Sequence, residues 1–323
     1  MTTHQSRLID TLISRTYPKN HKLRIPKKQW LNFYEPKEET FDSIIDRALE
    51  LGRESFIVAT SGGKDSGVVL DKAIKKDIVD GVFYIQTNTG VHLTQEFVED
   101  RCTELGLKLY IREPAPHPYV FVAFCLYAGF PDVSLHSAIM KYLKYYPMLK
   151  FVTEPQFKKK KIALLGGIRK FESARRKLNY AYPICDDSNK IWFVNPLFYE
   201  KTESVYKYYI ENNVKISPVY KHYPSSLECG CGSFAGGKHE MDAIRKLDPV
   251  RGEFFEWLEE GIKKFGSPIA KRHTTWGGSK WSDEDRNQVL EKFFDNDEHT
   301  QKVASLICGS ECGAGTMRGM LEY

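Results

Sequence analysis

Six consecutive residues, Ser61, Gly62, Gly63, Lys64, Asp65 and Ser66, combine the groups best suited to chemistry in this chain. Before them, Ser55–Thr60 is an apolar, β-branched run that reads as a buried strand. After them, Val68, Leu70, Ala73 and Ile74 recur at helical spacing over residues 67–75. A strand-to-helix turn gathers the first N–H groups of the helix and the positive end of its dipole at one point. Two glycines let the backbone turn sharply and approach a ligand closely. Ser61 and Ser66 add hydroxyls and Lys64 adds charge. Asp65 adds a carboxylate able to orient Mg²⁺ or a backbone amide. The chemistry implied is the grip of a phosphate or sulfate group. A plain strand-to-helix turn would need the Gly-Gly pair but not the four polar residues around it. The string is not a Walker A loop, because Asp65 follows Lys64. A nearer match to that pattern, Gly232 to His239, ends in His239 and follows no strand.

Two further polar strings sit where strands should end. Thr89-Gly90 follows a strand expected over 81–86, and offers a hydroxyl and a backbone edge to an adenine or ribose. Gly166-Gly167 follows a strand expected over 162–165 and leads into Arg169, Ser173 and Arg176. The two arginines suit bidentate phosphate or sulfate contacts, or else form one charged helix face. His136 and Lys144 either face the same ligand or pack within a helix.

The seven cysteines divide by context. Cys102 and Cys125 fall among apolar residues in expected helices and read as core. Cys185 reads as a loop residue. Cys229-Gly-Cys231 and Cys308-x-x-x-Cys312 lie in glycine-rich segments. Two close pairs in such backbone suit a four-thiolate centre, either an iron–sulfur cluster (4Fe-4S) or zinc.

The elements that must position these groups alternate. Helices are expected over 39–52, 94–105, 119–128, 137–145 and 202–212, and strands over 55–60, 81–86, 107–112 and 162–165. This alternation predicts an α/β fold with a doubly wound, mostly parallel sheet that binds ligands at strand C-terminal ends. From Glu228 the composition changes, and helices are expected over 238–247 and 251–265. The division expected is a basic and aromatic arm with a helix over 1–52, a nucleotide-binding domain over 53–220, and a small cysteine-rich, mainly helical subdomain over 221–323.

The string SGGKDS after a strand resembles the PP-loop family of adenine-nucleotide α-hydrolases. That family includes sulfonucleotide reductases, ATP sulfurylase subunits and tRNA thiolation enzymes. Three later strings are similar to its phosphoadenosine phosphosulfate (PAPS) reductase branch. They are Asn88-Thr89-Gly90 with Thr94-Gln95-Glu96, the run from Gly166 to Arg176, and the run from Val194-Asn195-Pro196-Leu197 through Ser217–Tyr220 to Ser225–Cys229. The likeness spans roughly residues 53–235. It implies an enzyme that binds an adenylyl nucleotide (PAPS, adenosine phosphosulfate (APS) or ATP) across Ser61–Ser66, Thr89–Gly90, Gly167 and Arg169–Arg176, and that cleaves a sulfonucleotide reductively or transfers sulfur. Lys64 and Asp65 would take part in catalysis.

Glu311-Cys312-Gly313 resembles the C-terminal Glu-Cys-Gly of the reductases, whose cysteine attacks the sulfonucleotide. Cys312 is then nucleophile or metal ligand, and its neighbour Cys308 favours ligand. There are departures. Asn88 stands where the reductases have Asp, and Glu172 where they usually have Gln, as in the DNA-phosphorothioation branch. The cysteine spacing also differs from that of cluster-bearing APS reductases. The rival reading is a Mg²⁺-dependent ATP pyrophosphatase that adenylylates a nucleic acid, with the basic stretches at 18–28 and 158–161 on the polymer. A third is a metal-stabilised nucleic-acid-binding module.

The 323 residues include 47 Lys and Arg against 42 Asp and Glu, a formal net charge of +5. A mildly basic chain of 28% charged residues suits a polyanionic small ligand and permits nucleic acid. The polar N-terminus and the shortness of the longest apolar run, 119–130, lead to the expectation of a cytoplasmic enzyme with no membrane partner, served by an electron- or sulfur-donor protein. In that compartment the cysteines are expected as thiols or ligands, not disulfides.

Overall fold

The computed structural model of the protein describes residues 39–157, 160–172, 183–186 and 191–293. Six strands form one sheet: β1 (Ser55–Thr60), β2 (Val79–Ile85), β3 (Leu109–Arg112), β4 (Ile162–Leu165), β5 (Ile184–Asp186) and β6 (Trp192–Val194), in the order β3-β2-β1-β4-β6-β5. All neighbouring pairs run parallel except β5 and β6 at the edge. The central strands are apolar on both faces because helices cover both. Phe56, Val58, Val82, Tyr84, Ala163 and Leu165 face one core, and Ile57, Phe83, Ile85, Ile162 and Leu164 face the other. Cys185 lies in β5, not in a loop. With only three residues each, β5 and β6 offer too short a run for periodicity to register.

On the first face lie α1 (Phe41–Glu50), α2 (Lys64–Lys75), α3 (His92–Glu104) and α7 (Thr202–Asn212). Thr40 caps α1, its hydroxyl accepting from Ser43 N at 3.2 Å. Helix α2 begins at Lys64, three residues before its apolar pattern. Gly63 has the extended backbone of an N-cap (φ −81°, ψ 162°), so Lys64, Asp65 and Ser66 form the first helical turn.

The opposite face carries α4 (Val120–Ala128) and α5 (His136–Met140), which continues through a π-helical turn, Lys141–Tyr145, into α6 (Tyr146–Val152). The helix expected over 137–145 stops short of α6 and its Pro147. Pro147 sits in the first turn of α6, where no N–H is required of it. Helices α8 (Lys238–Leu247), α9 (Pro249–Phe265) and α10 (Asp283–Phe293) follow. No helix among the described residues is long and apolar enough to cross a membrane.

Residues 221–293 are not packed as a separate bead. Ile244, Phe255, Leu258, Ile262 and Trp276 share one core with Phe83, Phe121, Phe124 and Phe130. The junction is a hydrogen-bonded clasp between the backbone of residues 226–230 and groups at and after the end of β2. Val91 N donates to Leu227 O (3.0 Å), Thr87 Oγ1 to Glu228 O (2.8 Å) and Gly230 N to Thr89 Oγ1 (3.1 Å). Thr94 Oγ1 donates to Ser226 O, and Trp276 Nε1 closes the outside on Gly230 O (2.8 Å). The clasp requires glycine at position 90, where a Cβ would lie 2.0 Å from the Glu228 carbonyl oxygen. Gly90→Ala should therefore cost about 2–3 kcal/mol by forcing the backbones apart. Gly261→Ala, in α9 with nothing within 4 Å of the added carbon, should gain up to about 1 kcal/mol from helix propensity. Urea titration of the two variants checks this, and shifts of the same sign would contradict the packing described.

Candidate active site

The first turn of α2 points into the C-terminal edge of the sheet, and its side chains are held there by charge. Asp65 is the hub. Its Oδ1 accepts from Arg169 Nε at 2.7 Å and its Oδ2 from Lys64 Nζ at 3.0 Å. All three residues are buried, with exposures of 4% for Lys64, 3% for Asp65 and 1% for Arg169. Arg169 reaches further, to Thr202 Oγ1 (3.2 Å) and Glu200 O (3.4 Å) at the start of α7. Lone buried charges are costly, and a shared carboxylate is what lets two cations sit this deep.

Hydroxyls complete the loop. Ser66 Oγ donates to Gly63 O (3.0 Å) and lies 3.2 Å from Thr60 Oγ1, which accepts from Gly62 N (3.1 Å). Tyr220 OH accepts from Lys64 N (3.0 Å), and Tyr209 OH donates to Lys64 O (2.8 Å). The sequence assigns no role here to Tyr209, or to Tyr220 although it ends the Ser217–Tyr220 string, because both lie about 150 positions downstream and only the fold brings them in. Ser61 is half-buried. Gly62 has φ +67°, which favours glycine, and Gly167 packs so closely on the helix start that a Cβ there would lie 2.7 Å from Ser66 N.

The structure thus brings Ser61–Ser66, Gly167 and Arg169 together. It places Thr89 and Gly90 with the cysteine loop instead. The Thr89 hydroxyl lies beside Thr87 Oγ1 (3.1 Å) and donates to Cys229 Sγ (3.8 Å), and Thr89 is buried. Asn88 occupies left-handed backbone (φ 61°), and its amide donates to Pro118 O at 3.4 Å. An aspartate could match the backbone there but not the donor, which is the physical reason for Asn88 at this point.

Lys144 projects from the π-helical turn to Glu228 at 2.6 Å, next to the clasp. His136 is buried edge-on to Phe234, with ring centroids 4.5 Å apart and no hydrogen-bond partner for either ring nitrogen among the described residues. Cys229 and Cys231 are both buried; Cys308 and Cys312 lie outside the described residues, as do Ser173 and Arg176. Among the described residues, no three His, Cys, Asp or Glu side chains converge to hold a metal. Burial pushes the Cys102 thiol up to about 11 and raises that of Cys125 as well, which keeps both protonated core residues. Burial also pushes the Glu240 carboxyl up to about 7, against the N–H of Gly236 (2.6 Å) and the hydroxyl of Tyr223 (2.9 Å) that it accepts from.

The hub makes a separable prediction. Asp65→Asn removes the carboxylate from between two buried cations and should cost about 3–5 kcal/mol of stability. Ser61→Ala, in the same loop but half-buried, should stay within about 1 kcal/mol of the parent and lose mainly anion affinity. Thermal unfolding of both variants measures the contrast, and an Asp65→Asn protein as stable as the parent would remove the hub from the account.

A family described as the phosphoadenosine phosphosulfate reductase domain matches residues 55–233 of this chain. Among solved structures, the chain is similar to a phosphoadenylyl-sulfate reductase from Candida auris in a phosphate complex. The identity is 20% and the TM-score 0.43, over 57% of this chain and 85% of that one. It is also similar to an FMN adenylyltransferase from Candida glabrata in complex with FAD and inorganic pyrophosphate (16% identity, TM-score 0.37, 52% of each chain). A third likeness is to a yeast FAD synthetase in complex with FAD (16%, TM-score 0.33, 69% of this chain and 79% of that one). Comparison with curated proteins gives no match.

Proposed function

The chain belongs to the phosphoadenosine phosphosulfate reductase domain family, and we propose that it binds an adenylyl sulfonucleotide, PAPS or APS, at residues 61–66 and cleaves it reductively. The observation that carries this reading is the hub. Both carboxylate oxygens of Asp65 already accept from cations, which makes it a poorer ligand for Mg²⁺, and a helix N-terminus beside Lys64 and Arg169 favours an anion. That suits a sulfonucleotide, which needs no metal, better than Mg–ATP. The loop would hold the phosphate–sulfate junction, Lys64 and the helix N–H groups would stabilise charge on the departing phosphate, and Asp65 would hold Lys64 in place.

In this reaction the bond between the sulfonate sulfur and the bridging oxygen breaks. The nucleotide phosphate leaves, and two electrons from an external dithiol donor protein reduce the sulfonate to sulfite. The dithiol becomes a disulfide and gives up its protons. Cys312 enters as the nucleophile on sulfur or as a metal ligand; its pairing with Cys308 favours the ligand.

Cys229 and Cys231 fit a thiolate centre: both are buried in glycine-rich backbone, and the Thr89 hydroxyl donates to the Cys229 sulfur. With Cys308 and Cys312 they would complete a four-thiolate set for an iron–sulfur cluster or zinc, tying residues 294–323 to the sheet. Such a centre supplies electron storage as a cluster and structure alone as zinc. Cys231→Ser and Cys308→Ser should each lose the metal and melt at lower temperature, read by metal analysis and calorimetry on anaerobically purified protein. Full metal content in either variant would contradict the assignment.

The second reading keeps the intact Ser-Gly-Gly-Lys-Asp-Ser string and Glu172 as its support: an ATP pyrophosphatase that adenylylates a nucleic acid for sulfur insertion. The two readings differ in product. The protein should release sulfite from PAPS or APS with a dithiol reductant and without Mg²⁺. Pyrophosphate from ATP that depends on Mg²⁺ and rises with added nucleic acid, with no sulfite, would reverse the choice. Neither product would favour a nucleic-acid-binding module.

A further inference from the structure

Asn195 is the first residue past β6 and lies level with Gly166, the first past β4, at the edge of the sheet where α/β folds take their ligands. Its backbone is fully used. The N–H donates to Pro183 O (2.7 Å), and the carbonyl accepts from Phe198 N (3.1 Å). Its side chain is not used at all. Asn195 is 0% exposed, and neither Oδ1 nor Nδ2 has a hydrogen-bond partner among the described residues. A buried carboxamide with no partner destabilises a fold, and an apolar residue of similar size would serve the packing better. No turn or helix cap in the structure draws on this side chain, so its chemistry is unspent.

Its position says what it would serve. A Cβ on Gly166 would lie 2.6 Å from Asn195 Oδ1, and one on Gly167 would lie 2.7 Å from Ser66 N. The carboxamide, the two glycines and the first turn of α2 therefore form one unbroken row across the ends of β6, β4 and β1. We propose that Asn195 is a binding residue that recognises the nucleoside half of the ligand whose anionic half sits at residues 61–66. The inference rests on the proposed nucleotide site. A carboxamide presents a donor and an acceptor and no charge, and both are orphaned here. Its complement must therefore carry both as well, as a ribose hydroxyl or an adenine edge does. A phosphate or sulfate oxygen would satisfy Nδ2 and leave Oδ1 unpaired. Because Asn195 is 0% exposed, its side chain must become accessible for the nucleoside to reach it.

The test is AMP binding to the full-length protein by calorimetry. Asn195→Leu should bind AMP about tenfold more weakly, the loss of one good hydrogen-bonded contact. Inorganic sulfate should bind as before, and the ligand-free melting temperature should hold or rise, because the orphan is gone. Asn195→Ala serves if the leucine does not fit. In the parent, 2′,3′-dideoxy-AMP or IMP should show the same loss, and whichever does identifies ribose or base as the partner. That analogue should then bind parent and variant alike. Parent-like AMP affinity in a folded variant overturns the assignment while leaving the nucleotide site standing. A parent that binds no adenine nucleotide overturns both.

Discussion

Two positive charges share one buried carboxylate at the start of a helix, and most of the candidate site follows from that. Lys64 and Asp65 belong to the first turn of the helix after β1, and Arg169 to the loop after β4. The ion pair is therefore also a strut between adjacent strand ends. It holds the Gly166-Gly167 turn against the first turn of α2, and through Thr202 it sets the start of α7, whose Tyr209 returns to Lys64 O. A cluster this enclosed stays ordered only while each charge keeps its partner. Sequence variation at any of the three positions should be tightly coupled to the other two.

A second constraint governs the other side of β1. The backbone of residues 226–230 is held along the turn after β2 mostly by side chains, those of Thr87, Thr89, Thr94 and Trp276, so composition matters there for its hydroxyls and indole as well as where bulk must be absent. The clasp also fixes where the buried cysteines stand relative to the strand end, and the Lys144–Glu228 pair pins it from the π-helical turn. The widened turn matters for this reason, since a regular helix would present Lys144 at a different angle.

Much of this was legible in the chain itself. The runs 55–60 and 162–165 emerged with both ends right, as did the helices over 202–212 and 238–247, because each has clear apolar periodicity and a plain stop. The loop at 61–66 declared its place between strand and helix by composition. The start of α2 did not, since Lys64–Ser66 carry no apolar signal. Long-range partners were the least visible. Arg169 reads as a phosphate ligand until Asp65 is found beside it, and the roles of Tyr209 and Tyr220 depend on how α7 and the segment after it return to the loop. Thr89 likewise presents a hydroxyl that reads as a ligand group, and the fold turns that hydroxyl toward the cysteine loop.

The clasp joins residues 141 positions apart in the chain, and this orders events during synthesis. A nascent chain that has emerged as far as Tyr220 can already pair its parallel strands and close the turn after β1 with Thr202, Tyr209 and Tyr220. The end of β2 stays uncovered until the segment beyond residue 226 leaves the ribosome. Contacts of such separation form late, because the intervening chain must be ordered first. The polypeptide therefore holds its Lys64–Asp65–Arg169 hub before it holds the cover over β2. Completion of the last third, not of the sheet, is the step that covers the end of β2.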